Sequence, residues 1–197
     1  LLQQLDRFES LLQDLLEISR FDAGVAVIEA EPMDVGELVR NVVADSTPLA
    51  DELGTRIDVV GGGNCVAEVD ARRVTRILRN LVTNALEHGE GRPIQIRVAG
   101  SDDVVAVAVR DHGVGMSAEQ VPFVFDRFWR ADQARTRRIG GTGLGLAIAL
   151  EDARLHGGTL EAWGSPSLVA NFVLCLPRHA HATVSESPIP VVPQDIP

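Results

Sequence analysis

From Leu1 towards Asp22, apolar residues recur at Leu1, Leu5, Phe8, Leu12 and Leu15, in alternating steps of four and three. That spacing lines up one helical seam of the kind that joins coiled coils and bundles. Leu2, Leu11, Leu16 and Ile18 broaden the stripe, which favours a bundle over a two-stranded coil. A helix this short is marginal alone in water and needs partners. Two arrangements meet that need: packing on its own domain, or pairing within a dimerisation hairpin, and the seam favours the second. Asp22-Ala23-Gly24 ends the helix and sets a boundary, so that 1–24, 25–177 and 178–197 read as three units.

In the middle unit, Asp34 and Glu37 have capping-box spacing and open a helix with Val35, Leu38, Val39, Val42 and Val43 on its buried side. Pro48 predicts a kink or a restart near Ser46–Thr47, and Gly54 a stop. Strands are expected over 55–60 and 65–69, joined by the turn Gly61-Gly62-Gly63-Asn64. Asp70 is an N-cap for a long helix to about His88, whose buried face is Val74, Ile77, Leu78, Leu81, Val82 and Ala85. Strands over 93–99 and 104–110 follow, then a loop-rich stretch, a helix over about 142–156 closed by Gly157-Gly158, and strands over 159–163 and 171–176. The tail from 178 is rich in proline, lacks periodicity and is predicted to be disordered. Irregular alternation of helices and hairpins predicts an α/β fold, a two-layer sandwich with helices on one face of a mixed sheet.

Composition narrows the partners. Eighteen basic against 28 acidic residues give a net charge of −10, which argues against direct nucleic-acid binding. No apolar run approaches the roughly 20 residues of a membrane span, so attachment to a membrane is expected only through a segment preceding Leu1. Cys65 and Cys175 lack metal-ligand spacing and read as buried thiols of a reducing compartment.

Three polar segments interrupt this pattern. Asn80, Asn84 and His88 recur every four residues beside the buried face of their helix. Asparagine is a mediocre helix former, and its carbonyl oxygen is a hard donor suited to Mg²⁺ shared with phosphates, although a plain polar face would look the same. Asp111-His112-Gly113-Val114-Gly115 directly follows a strand, where a carboxylate can accept a hydrogen bond from an exocyclic amine such as adenine N6. The two glycines would let backbone approach a flat base, though such a segment is as often a tight turn. Gly141-Thr142-Gly143-Leu144-Gly145 opens a helix, so its N–H groups offer a phosphate site. It lacks the Gly-Lys-Ser/Thr of a P-loop and the spacing of a dinucleotide fingerprint. Arg127, Arg130, Arg135, Arg137 and Arg138 concentrate positive charge just upstream.

In this order, with Phe125-X-X-Phe128 between the second and third segments, they resemble the N, G1, F and G2 boxes of the histidine-kinase branch of the gyrase, Hsp90, histidine kinase and MutL ATPase superfamily. Asp14–Gly24, Val69–Asn80 and Leu150–Gly164 are most similar to actinobacterial MtrB-type sensor kinases. The resemblance implies an ATP-binding catalytic domain over 25–177, preceded by the second helix of a dimerisation and phosphotransfer hairpin. It implies a homodimer, a response-regulator partner of the MtrA type, and the cytoplasmic portion of a cell-membrane protein. Asn84 would hold Mg²⁺ with Asn80 beside it, and Glu87 and His88 would face the nucleotide. Asp111 would read the adenine amine, with Gly113 and Gly115 shaping the base pocket. Phe125 and Phe128 would anchor the segment before the ATP lid, while Arg127 or Arg130 reaches the γ-phosphate. Gly141, Thr142, Gly143, Leu144 and Gly145 would hinge the lid and cap the triphosphate.

Relatives that hydrolyse ATP tend to carry Glu where Asn80 stands, so the resemblance implies transfer to a histidine on a helix preceding Leu1. The chain departs from the family at Glu87, where a cation is common, and at Gly164–Phe172, where a Gly-X-Gly turn is usual. A serine kinase of the anti-sigma type and a non-catalytic nucleotide-binding module are the competing expectations. The seam at 1–22 and the spacing of Phe125 and Phe128 speak against the first, and intact Asn84 and Asp111 against the second.

Overall fold

The computed structural model describes residues 2–130 and 142–195. Its elements are α1 (Leu2–Asp22), β1 (Glu31–Asp34), α2 (Val35–Leu53), β2 (Ile57–Gly61), β3 (Val66–Val69), α3 (Ala71–His88), β4 (Ile94–Gly100), β5 (Val104–Asp111), α4 (Gly145–Leu155), β6 (Thr159–Ser165) and β7 (Val169–Pro177), with a single 3-10 turn at Val121–Phe123. Five strands form a mixed sheet in the order β2-β4-β5-β7-β6, with β2 parallel to β4 and the other pairs antiparallel. Helices α2, α3 and α4 cover one face, as the alternation of elements predicts.

Both predicted N-caps form. The Asp34 carboxylate accepts from Gly36 N, and that of Asp70 from Arg72 N and Arg73 N. On α3, Val74, Ile77 and Leu81 are fully buried, and each contributes roughly 1.5–3 kcal/mol by leaving water. Two expectations fail here. Helix α2 does not restart near Pro48: it continues to a left-handed stop at Gly54, with the hydroxyls of Ser46 and Thr47 donating back to the carbonyls of Val42 and Val43 (2.7 and 3.0 Å). Strands β2 and β3 are not a hairpin. The triglycine turn carries the chain between sheets, so that β3 pairs antiparallel with β1 while β2 joins β4.

The tail corrects a third expectation, since it is not a disordered appendage. Arg178 donates to the carbonyls of Ser101, Val66 and Asn64, each at 2.7 Å, and Ile189 is 3% exposed. Val184, Ile189 and Val191 pack on Val104, Ala106, Ala108, Val173 and Cys175, on the sheet face opposite the helices.

Helix α1 divides its apolar residues. Ile18 is buried against Leu144 and Ile148, with Leu11 and Phe21 alongside, whereas Phe8, Leu12, Leu15 and Leu16 remain exposed.

Candidate functional site

Helix α3 is the spine of the candidate site. At one end, Asn80 Nδ2 donates to the Gly145 carbonyl at the start of α4 (2.8 Å). At the other, the His88 carbonyl accepts from Val114 N (3.2 Å), and Gly113 lies so close to His88 and Gly89 that a Cβ would overlap backbone. Eight residues of helix separate these contacts, about 12 Å at 1.5 Å per residue, with half-buried Asn84 midway. The glycine-rich helix start and the Asp111 loop are therefore held at either side of Asn84, across a span that an adenosine nucleotide can bridge.

Asp111 is 1% exposed at the end of β5. Its Oδ1 accepts from Gly113 N (3.0 Å), while Oδ2 is buried without a hydrogen-bond partner. Burial raises its pKa to about 6, against the partial relief supplied by Gly113. A buried carboxylate oxygen with nothing to accept is costly and unusual, and an amine donor would satisfy it. The glycines serve this loop differently from expectation. Gly113 packs on α3 and Gly115, at φ 65°, against Ser165 and Val169, so both let protein backbone close in on itself around Asp111. The β6–β7 turn without its usual glycines is built nonetheless: Ser167 takes φ 61° and donates its N–H to Val114 O (2.8 Å).

The lid stems differ from expectation as well. Phe125 packs edge-on against Phe172, centroids 6.2 Å apart, and anchors its segment. Phe128 does not: its side chain is 59% exposed, and only its N–H is fixed, to Gly143 O (2.8 Å). Buried Val124 and partly buried Trp129 take that anchoring role. Arg127 pairs with Asp22 of α1 through both guanidinium nitrogens (2.6 and 2.9 Å), which holds the Asp22 carboxyl below its usual range. Thr142 Oγ1 donates to Asp14 Oδ2 (2.9 Å) and accepts from Leu144 N (3.2 Å), and burial pushes the Asp14 carboxyl up. Leu144 is fully buried against Ile18, so its side chain is core. Gly143, at φ 75°, backs onto Phe128. Glu87 and His88 are half-buried on α3, and Arg130 is exposed. Gly141, Arg135, Arg137 and Arg138 lie outside the described residues.

A charged cluster that the sequence pattern did not single out ties α1 to this spine. Asp152, fully buried on α4, receives Arg73 (2.8 Å) and Arg76 (2.7 and 2.8 Å), and both arginines also reach Glu17 of α1. Burial alone would raise Glu17, but its bonds to Arg76 and Arg20 and the nearby Arg73 charge lower it overall. His156 bridges the same helices, with Nδ1 at the Asp152 carbonyl and Nε2 accepting from Asp70 N. Arg73, Arg76 and Asp152 sit at positions where helical periodicity alone shows only a polar edge.

Among the described residues, no group of three His, Cys, Asp or Glu side chains could hold a metal, and no helix is long and apolar enough to cross a membrane. Asn84 offers one hard oxygen, which fits Mg²⁺ only as an ion completed by phosphate and water.

With this geometry in view, comparison with known proteins is decisive. Residues 69–180 match the family described as histidine kinase-, DNA gyrase B- and HSP90-like ATPases, and the chain belongs to that family. It is 53% identical to the sensor histidine kinase MtrB of Mycobacterium tuberculosis over 98% of its length, and 39% identical to the signal transduction histidine-protein kinase AfsQ2 of Streptomyces coelicolor over 87%. It spans about a third of those relatives, 34% and 31%. Full-length ShkA, solved in complex with AMPPNP, superposes with a TM-score of 0.79 at 26% identity over 92% of this chain and 38% of that one. The catalytic domain of histidine kinase ThkA, at 24% identity and a TM-score of 0.68, covers 77% of this chain and 97% of its own, and shows the shared fold.

Proposed function

We propose that this chain is the ATP-binding catalytic domain of a two-component sensor histidine kinase, joined to the second helix of its dimerisation hairpin. It transfers the γ-phosphoryl group of ATP to a histidine carried outside these 197 residues, for relay to an aspartate of a response regulator of the MtrA type. The observation that carries this reading is the unpartnered, buried Oδ2 of Asp111 at the end of the α3 spine.

Asp111 accepts from the adenine N6 amine, and the backbone packed by Gly113 and Gly115 fixes that carboxylate before the base arrives. Asn84 holds Mg²⁺, which neutralises phosphate charge when bound. Asn80 joins α3 to α4 through Gly145 O, and a carboxamide cannot serve as the base that activates water. Positioning then governs the reaction: an imidazole nitrogen of the acceptor attacks the γ-phosphorus, the bond to the β–γ bridging oxygen breaks, and ADP leaves. Arg127 and Thr142 come to the phosphates from their contacts on α1. The exposed seam of Phe8, Leu12, Leu15 and Leu16 pairs with the hairpin mate and a second copy, in the cytoplasmic portion of a membrane-anchored kinase.

The test supplies the chain with Mg·ATP and a separate helical hairpin bearing the acceptor histidine. Acid-labile, alkali-stable label should appear on the hairpin and none on a serine substrate. Asn84→Ala should abolish transfer; transfer at the unsubstituted rate would refute the assignment of Asn84.

A further inference from the structure

The C-terminal strap fastens to the sheet one residue away from the nucleotide site on two neighbouring strands. In the β5–β7 register, Arg110 faces Asn171 and Asp111 faces Ala170. Side chains alternate along a strand, so Arg110 and Asn171 point to the outer face while Asp111 and Ala170 point inward. On the outer face, Arg110 pairs with Asp195 (2.8 Å), and Asn171 Nδ2 donates to Val191 O (2.8 Å). Between these clasps and Arg178, the strap is held by Ala180 N on Glu68 (2.8 Å), Val184 N on Gly157 O (3.2 Å) and buried Ile189. Cys175 lies beneath it, fully buried, with Sγ donating to Ser187 Oγ of the strap (3.0 Å).

We infer that Asp195 and Val191 are positioning residues for the nucleotide: by clasping Arg110 and Asn171 they fix the strand ends that present Asp111 and back the Gly115 loop, so strap docking and nucleotide binding favour each other. The inference rests on the reading of Asp111 as the adenine acceptor. Its physical basis is preorganisation. An ordered strand end presents the carboxylate in place, whereas a strap that lifts leaves both strand ends without their outer layer. Linkage then demands reciprocity: bound nucleotide must hold the strap down by the factor by which the strap tightens nucleotide.

Cys175 reports lifting of the distal strap around Ser187, and Cys65, buried between the Asn64 and Val66 carbonyls that Arg178 grips, reports lifting of the whole tail or opening of the domain. The experiment reacts the whole chain with a maleimide, with and without saturating Mg·ATP, and follows each cysteine by peptide mass. Mg·ATP should slow Cys175 about fivefold or more, beyond any effect on Cys65. Asp195→Ala, which removes one surface ion pair, should speed Cys175 selectively and weaken Mg·ATP binding several-fold by calorimetry. Ile189→Asp should do both more strongly. Equal protection of the two thiols, or an Asp195→Ala chain with faster Cys175 and unaltered affinity, overturns the coupling alone. A chain that binds no Mg·ATP at all overturns the reading of the site and the coupling with it.

Discussion

The two ends of the proposed nucleotide site are built on opposite plans. Around Asp111 the structure is complete without a ligand: glycines pack on backbone, Ser167 bonds to Val114, and a carboxylate oxygen waits in a buried position. Around Arg127 and Thr142 the groups that suit phosphate are occupied, each by a carboxylate of α1. On the proposed reading, adenine recognition would be a property of the domain, while phosphate handling would be shared with α1. Affinity and reactivity can then be tuned apart, since a displacement of α1 alters one end and leaves the other standing.

That contrast can be broken most severely at the rigid end. Asp111→Asn keeps the shape but puts an amide nitrogen or a weaker acceptor where the amine must be met, and should reduce ATP affinity about 100-fold by calorimetry. An affinity within threefold of the parent would mean that the base is read elsewhere.

Acidity probes the same carboxylate. Its folded pKa of about 6 lies above the ordinary 3.8, so between those values the folded chain keeps a proton that the unfolded chain has lost. Stability should therefore fall by roughly 2–3 kcal/mol as pH rises from 4 to 6 and change little from this group above it. With Asp111 as the proposed adenine acceptor, nucleotide would require the ionised form, and its affinity should be about tenfold weaker at pH 5 than at pH 7. Urea titrations and calorimetry across that range check both signs, and Asp111→Asn should flatten both slopes.

At the shared end the effects should be smaller and opposite. Asp14→Ala with Asp22→Ala releases Thr142 and Arg127, and should tighten ATP binding about two- to fivefold, as befits partly exposed pairs. Weaker binding would show that α1 presents these groups to the phosphates instead of withholding them. Smallest of all is Phe128→Ala, with an exposed ring: its thermal midpoint should match the parent within about 1 °C, whereas Phe125→Ala should lose about 3 kcal/mol.

Much of this was legible in the sequence, for identifiable reasons. Asp34 and Asp70 announce their helices because capping is local chemistry, and the buried face of α3 follows from a 3.6-residue period that tertiary packing reinforces. The α/β sandwich with helices on one face followed from the same patterns. The segments around Asn84, Asp111 and Gly143 could be ordered along the chain, but their approach depends on Asn80 meeting Gly145 and His88 meeting Val114, contacts between residues 65 and 26 positions apart. The β2–β3 pairing was misjudged because a turn between two strands resembles a hairpin even when it passes the chain from one sheet to another. The strap was misjudged because its own residues carry no period. The informative signal lay elsewhere: Val104–Val109 and Val169–Leu176 are almost continuously apolar, as strands covered on both faces must be. Phe128 was misplaced because a Phe-X-X-Phe spacing does not say which ring turns inward.

The grip of Arg178 on Ser101, Val66 and Asn64 has a bearing on how the molecule comes into being. Synthesis runs from the amino end, and the central strand β5 must wait for β7, then for residues 178–195, before its second side is sealed. Until residues 178–195 clear the ribosome tunnel, a row of valines and alanines stays wet and open to misassociation. The outer face of the sheet is therefore sealed after its helical face, and a chain cut back to residue 177 should aggregate.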